Sequence, residues 1–140
     1  MHNFLNNYKP SYGVFSSGLG GESNDRVDTA TYVDMRYYDA VVFYVGASGV
    51  ASGSVVTLQL YEATSTAGAG SATISGKTDT FTATGTTHTD LLQAEVRAEE
   101  LSSGFRYVGA RVSTSNAGGA EKIGGIFVQG RSRYAQTTLP

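Results

Sequence analysis

The chain has 140 residues, a formal net charge of −2 and no cysteine. That length fits one domain with a self-sufficient core, and the missing thiols exclude disulfide, zinc–thiolate and thiol redox chemistry. The slightly acidic balance argues against a nucleic-acid partner, and no apolar run reaches the ~18 residues that cross a bilayer.

Residues 1–28 read as an N-terminal arm and linker. The start, "MHNFLNNYKPSYGVF", has no basic region followed by an apolar stretch, so it does not read as a secretion signal. The expectation is a chain made in a cytoplasm, with no membrane partner. Phe4, Leu5, Tyr8, Tyr12 and Phe15 carry too much apolar surface for an idle tail, which is normally poor in aromatics. The arm either caps its own core or becomes ordered against a neighbouring chain. The second reading makes those five residues contact anchors, with "SSGLGGESND" at 16–25 as their flexible tether.

Residues 29–134 carry strand signals. "TATYVDM" predicts one strand. "AVVFYVGA" at 40–47 is a continuous apolar run bounded by Asp39 and Gly49, the pattern of a central strand buried on both faces. Tyr37 and Tyr38 stand where that strand begins, with hydroxyls able to reach water or a partner. "SVVTLQLYEA" alternates: Val56, Leu58 and Leu60 face one way, and Thr57, Gln59 and Tyr61 the other. "TSTAGAGSATISGKT" at 64–78 reads as a long mobile loop with at most a short strand at 72–74, and "DTFTATG" as another alternating strand.

"DLLQAEVRAEEL" at 90–101 allows two readings. A helix would gather Leu91, Leu92, Glu95, Ala98 and Glu99 on one face, with Asp90 as its cap. A strand sets Leu92, Ala94 and Val96 against Gln93, Glu95 and Arg97, with a tight turn at 99–101. Strand plus turn is the favoured reading. "FRYVGARVSTS" then places Val108, Ala110 and Val112 opposite Tyr107 and Arg111. "NAGG" is a turn, "KIGGIFVQGRSRY" the last strand, and residues 135–140 a tail. Seven or eight strands between glycine-rich turns indicate an all-β chain. The expected fold is an antiparallel β-sandwich of jelly-roll or immunoglobulin-like topology.

Chemistry is absent from the pattern. There is no nucleophile elbow, no zinc-protease motif and no phosphate loop. Glu99 and Glu100 are adjacent and point apart, whereas a glycosidase pair must face across a substrate. Asp25, Asp28, Asp34 and Asp39 lack calcium-loop spacing. His88 lies in a threonine-rich loop, and His2 is the only other histidine. The sequence therefore predicts no catalytic residue, no metal and no cofactor. What stands out is nine tyrosines with no tryptophan, and 16% charged residues against ~25% in ordinary domains. Tyrosine buries area at low entropy cost and keeps a polar handle, so it is enriched at interfaces. Tyr37 and Tyr38, with Arg131, Arg133 and Tyr134 of "RSRY", join the five arm residues as the expected contact set.

The order "VDMRYYDAVVFYVGASG", "VVTLQLYEA", "DLLQAEVRAEEL", "FRYVGARVSTS" and a last strand ending "GRSRY" resembles the head decoration, or cement, proteins of tailed bacteriophages. The resemblance covers residues 29–134 and rests on loose hydrophobic spacing. It implies a non-catalytic virion protein on the capsid exterior. It also implies a homotrimer bound to the major capsid protein, clamping neighbouring capsomers. A tail-associated module, or a carbohydrate- or receptor-binding β-module, is the alternative. The missing tryptophan weighs against sugar binding.

Overall fold

The computed structural model describes residues 9–13, 26–29, 31–85, 88–115 and 122–130. Its strands are β1 (Lys9–Gly13), β2 (Arg26–Asp28), β3 (Val33–Asp34), β4 (Ala40–Val50), β5 (Val55–Ala63), β6 (Ala72–Thr82), β7 (His88–Arg97), β8 (Tyr107–Thr114) and β9 (Lys122–Gln129). Among the described residues the only helical piece is a 3-10 turn at Ala98–Glu100. It follows β7 directly, so the strand-plus-turn reading of 90–101 holds.

One sheet runs β1-β9-β4-β7 and the other β2-β8-β5-β6, with β3 added on β8. Every pairing is antiparallel. The partners are nested: β1 with β9, β2 with β8, β4 with β7, β5 with β6. One long hairpin with its tip at β5–β6 has been rolled up, and the seams β4–β9 and β5–β8 close it. An immunoglobulin sandwich keeps several consecutive strands hydrogen-bonded side by side. Among the described strands β5–β6 is the one such pair, so the strand order selects the jelly roll.

The core lies between the sheets. Val41, Phe43, Val45 and Ala47 of β4, with Leu92, Ala94 and Val96 of β7, face Val56, Leu58 and Leu60 of β5 and Val108, Ala110 and Val112 of β8. Strand alternation places all of them inward. Fully burying each large apolar side chain is worth ~1.5–3 kcal/mol, so this double layer supplies most of the driving force.

Three expectations need correction. First, β4 is buried on one face only: Val42 is half-buried and Tyr44 is 37% exposed. A two-layer sandwich gives each sheet a single partner layer, so an unbroken apolar run must present every second residue outward. Second, the loop after β5 ends at Ser71, and residues 72–78 of the expected loop already belong to β6. Its turn is bonded internally, from Thr64 N–H to Ala69 O (3.0 Å) and Gly68 N–H to Ser65 O (3.1 Å). β6 was hard to read because it bulges: Gln59 pairs with Thr78 but Tyr61 with Thr73. The extra residues turn through Gly76 at φ 73°, and Gln59 Nε2 bonds the freed carbonyls of Ile74 (3.0 Å) and Lys77 (3.1 Å). Third, Lys9–Gly13 and Arg26–Asp28 are strands of the sandwich itself, although the sequence reading placed them in the arm and linker.

Candidate functional site

One end of the jelly roll carries the segments 31–39, 64–71 and 98–106. Backbone bonds tie them together: Tyr32 N–H to Thr66 O (2.9 Å), Met35 N–H to Arg106 O (2.9 Å), Arg106 N–H to Ala63 O (3.2 Å) and Ala98 N–H to Asp39 O (2.8 Å). Glu62, buried and pointing inward, accepts a bond from Ser102 N–H at 2.8 Å. The loops at this end are held by the two sheets and by one another.

Three arginines lie over three tyrosines there. The Arg36 guanidinium is 4.6 Å from the Tyr37 ring centroid. That of Arg106 is 4.6 Å from Tyr107, and Arg106 Nη2 also donates to the Tyr107 hydroxyl. That of Arg111 is 4.3 Å from Tyr61, and Arg111 Nη1 donates to the Tyr61 hydroxyl at 2.7 Å. Carboxylates hold the arginines in place. Asp34 Oδ1 is 3.0 Å from Arg106 Nε, and Asp34 Oδ2 is 3.7 Å from Arg36. The Arg106 contact is ionic, since its N–H is not aligned for a hydrogen bond. Asp28 grips Arg111 with both oxygens, at 2.6 and 3.2 Å. That bond holds the Arg111 guanidinium above its ordinary pKa.

The β5–β8 register explains the outer row. Tyr61 pairs with Gly109, Gln59 with Arg111, and Ala63 with Tyr107. Directly paired residues share a face, so alternation brings Tyr61, Tyr107 and Arg111 to the outside of the sheet. Gly109 leaves room for Tyr32, whose ring lies over it. A Cβ at Gly109 would stand 2.6 Å from that ring, and one at Gly68 would stand 2.7 Å from it. Burial pushes the Tyr32 phenol up, and its bond to Ser71 partly offsets the shift.

Of the expected contact set, Tyr37 belongs to this surface. Tyr38 does not: it is 4% exposed, and burial raises its phenol pKa. The chain turns at 35–36 and bends at 37, and this path carries Tyr38 to a buried position. Tyr12 sits in β1 opposite Ile126. Phe4, Leu5, Tyr8, Phe15, Arg131, Arg133 and Tyr134 lie outside the described residues. The points from which the chain continues toward most of them are described, however. Lys9 pairs with Gln129, Gln129 with Val41, and Gly130 N–H bonds Ala40 O. Lys9 and Gly130 therefore both lie at the end that carries Tyr37.

Sequence reading missed Arg36, Arg106, Arg111, Asp28 and Asp34 as members of the site. A signal was present in "MRYY" and "FRYV", where an arginine directly precedes the tyrosine it covers. Among the described residues no cluster of metal-binding side chains occurs, and no helix is long and apolar enough to cross a membrane.

No protein-family model matches the chain, and no characterised protein matches it in sequence. Solved structures do match. A chain of the T=1 particles derived from infectious bursal virus aligns with a TM-score of 0.52 at 12% identity, covering 89% of this chain and 31% of that one. The VP2 subviral particle of infectious bursal disease virus gives 0.50 at 11% identity, covering 86% and 32%. The CBM22–GH10 modules of Clostridium thermocellum xylanase 10B align more loosely, at 0.43 and 11% identity, covering 86% and 22%. The chain spans about a third of the viral chains it matches. At these identities the likeness is one of fold, and it agrees with the jelly-roll strand order.

Proposed function

We propose that this chain is a structural virion module that docks on the exterior of a capsid through its Tyr37 end and stabilises contacts between capsomers. The observation that carries the proposal is the convergence at one end. Arg36 and Tyr37, the stacked pair of Arg106 and Tyr107, and the attachment points of residues 1–8 and 131–140 all lie there. Tyrosine and arginine dominate the binding energy of protein interfaces, where truncation of a central one costs ~2 kcal/mol or more. Stacking on a ring and pairing with Asp34 hold these side chains in place before contact, so less entropy is lost on docking. The fold shared with viral particle proteins and the sequence resemblance to decoration proteins support the same reading. The partner is a major capsid protein, and the ring of copies is a trimer.

The test uses shells that lack the protein. Arg36→Ala with Tyr37→Ala should weaken binding to such shells at least tenfold and leave the melt of the free protein unchanged. Unaltered shell binding by a folded double variant would overturn the proposal. Binding of the unaltered protein to a glycan array, with none to shells, would favour a sugar- or receptor-binding module.

A further inference from the structure

β7 is an edge strand, because it pairs with β4 alone. Its alternate amides therefore face away from the sheet. Those of Leu91, Gln93 and Arg97 are identified by their acceptors, which are side chains. Leu91 N–H bonds Asp90 Oδ1 at 2.8 Å, Gln93 N–H bonds Asp79 Oδ2 at 2.9 Å, and Arg97 N–H bonds Glu100 Oε2 at 2.7 Å. The period of two puts the Glu95 amide on the same side. An edge of ten residues without proline is a template for another strand. Here carboxylates occupy it. Asp79 reaches across from β6, and Glu100 is itself held by Lys77 Nζ of β6 at 2.7 and 2.8 Å. β6 and β7 are not hydrogen-bonded as neighbouring strands of a sheet, so these side chains hold that flank of the sandwich shut.

The strand beneath the caps is self-complementary. Two copies of β7 laid antiparallel about Ala94 align four of the five outward residues, Gln93 opposite Glu95 and Leu91 opposite Arg97, and leave Thr89 beyond the paired stretch. The Gln93 amide then meets a carboxylate. The Arg97 stem covers Leu91, at 58% the most exposed large apolar side chain among the described residues. No like charges oppose each other. Moving the axis to Glu95 sets that carboxylate against itself, and moving it to Gln93 sets Leu91 against Glu95. We propose that the β7 edge is a docking surface for β7 of a second copy of this chain, paired about Ala94, and that Asp79 and Glu100 guard it in the isolated chain. This surface runs along the β7 flank and meets the Tyr37 end only at Arg97 and Glu100. Its two-fold symmetry joins copies from different rings.

Removing the two guards that come from outside the strand, with Asp79→Ala and Glu100→Ala, should tighten self-association at least tenfold in sedimentation velocity. Adding Glu95→Pro should return the double variant to the unaltered level. That amide faces outward, so the ladder to β4 keeps its donors, and proline is tolerated on such an edge. A folded double variant that associates no more tightly than the unaltered chain overturns the proposal. So does association that survives Glu95→Pro. If the double variant loses its cooperative melt, the unaltered background decides. Ala94→Cys puts the only thiol of the chain on the two-fold axis, and Thr82→Cys puts it on the exposed side of β6. Under mild oxidant, disulfide dimers should form at least tenfold faster through position 94, although Ala94 is the less exposed site. Equal or slower cross-linking through position 94 overturns the pairing.

Discussion

Tyr32 and Gly109 show how one missing Cβ sets a surface. The ring occupies the space above Gly109, and Thr29 Oγ1 would lie 2.8 Å from a Cβ there. Gly109→Ala should cost ~1–3 kcal/mol, as overpacking does. It should lower the melting temperature, and adding Tyr32→Ala should cost less than the sum of the two changes. Arg111 makes a different point. Its fork spans Asp28 and the Tyr61 hydroxyl, a geometry that lysine cannot reproduce. Arg111→Lys should lose ~1 kcal/mol in a denaturant melt, and Asp28→Asn should add little once the fork is gone. The half-buried phenol of Tyr32 and the buried phenol of Tyr38 titrate above their ordinary value of 10.0 in the folded chain. Folding therefore favours the neutral phenol. That stability is complete below pH 10 and is lost as pH rises through the raised values. An absorbance titration should show these tyrosines ionising after the solvent-facing ones.

At the scale of elements, the flank between β6 and β7 is held by side chains. Glu100 binds Lys77 Nζ and caps Arg97 N–H, and these bonds hold its carboxyl below the ordinary value of 4.5. A lowered carboxyl stabilises the fold above its unfolded value, and that contribution disappears as pH falls through the folded value. The Glu100 side chain is 37% exposed, so solvent screening keeps the effect below ~1 kcal/mol. Glu100→Gln should lower the melting temperature slightly at pH 7, and the difference should shrink as melts are taken below the ordinary value of 4.5 and through the lowered one. The β6 bulge is the other local device. Gly76 needs its positive φ, so Gly76→Ala should cost ~1–2 kcal/mol even though open space surrounds it.

For the whole molecule, the nested strand pairing brings β1 and β9 together and so places both ends of the described chain beside Ala40. This changes the deletion that tests the arm. Removing residues 1–15 would take β1 out of its sheet and confuse folding with binding. Removing residues 1–8 leaves β1 in place. That shorter deletion should leave a cooperative melt and weaken shell binding by tenfold or more, if Phe4, Leu5 and Tyr8 are anchors. Each anchor is marginal alone, since burial worth ~1.5–3 kcal/mol per side chain is offset by ~1–2 kcal/mol of ordering per residue. On the proposed reading, many copies on one particle make such marginal contacts effective.

The sequence by itself determined the fold class and the inward residues of β5, β7 and β8, because a period of two leaves a local record of which side each residue faces. It also carried the strand-plus-turn ending of β7. Tertiary structure alone decided the rest. The jelly roll depends on β1 meeting β9 and β2 meeting β8, and hydrogen-bond partners far apart in the chain leave no periodic trace. Tyr37 and Tyr38 look alike in sequence, and only the path of the chain turns one outward and the other into the core. The fork of Arg111 on Asp28 joins residues 83 positions apart, a distance over which only packing of the two strands can bring charge to charge.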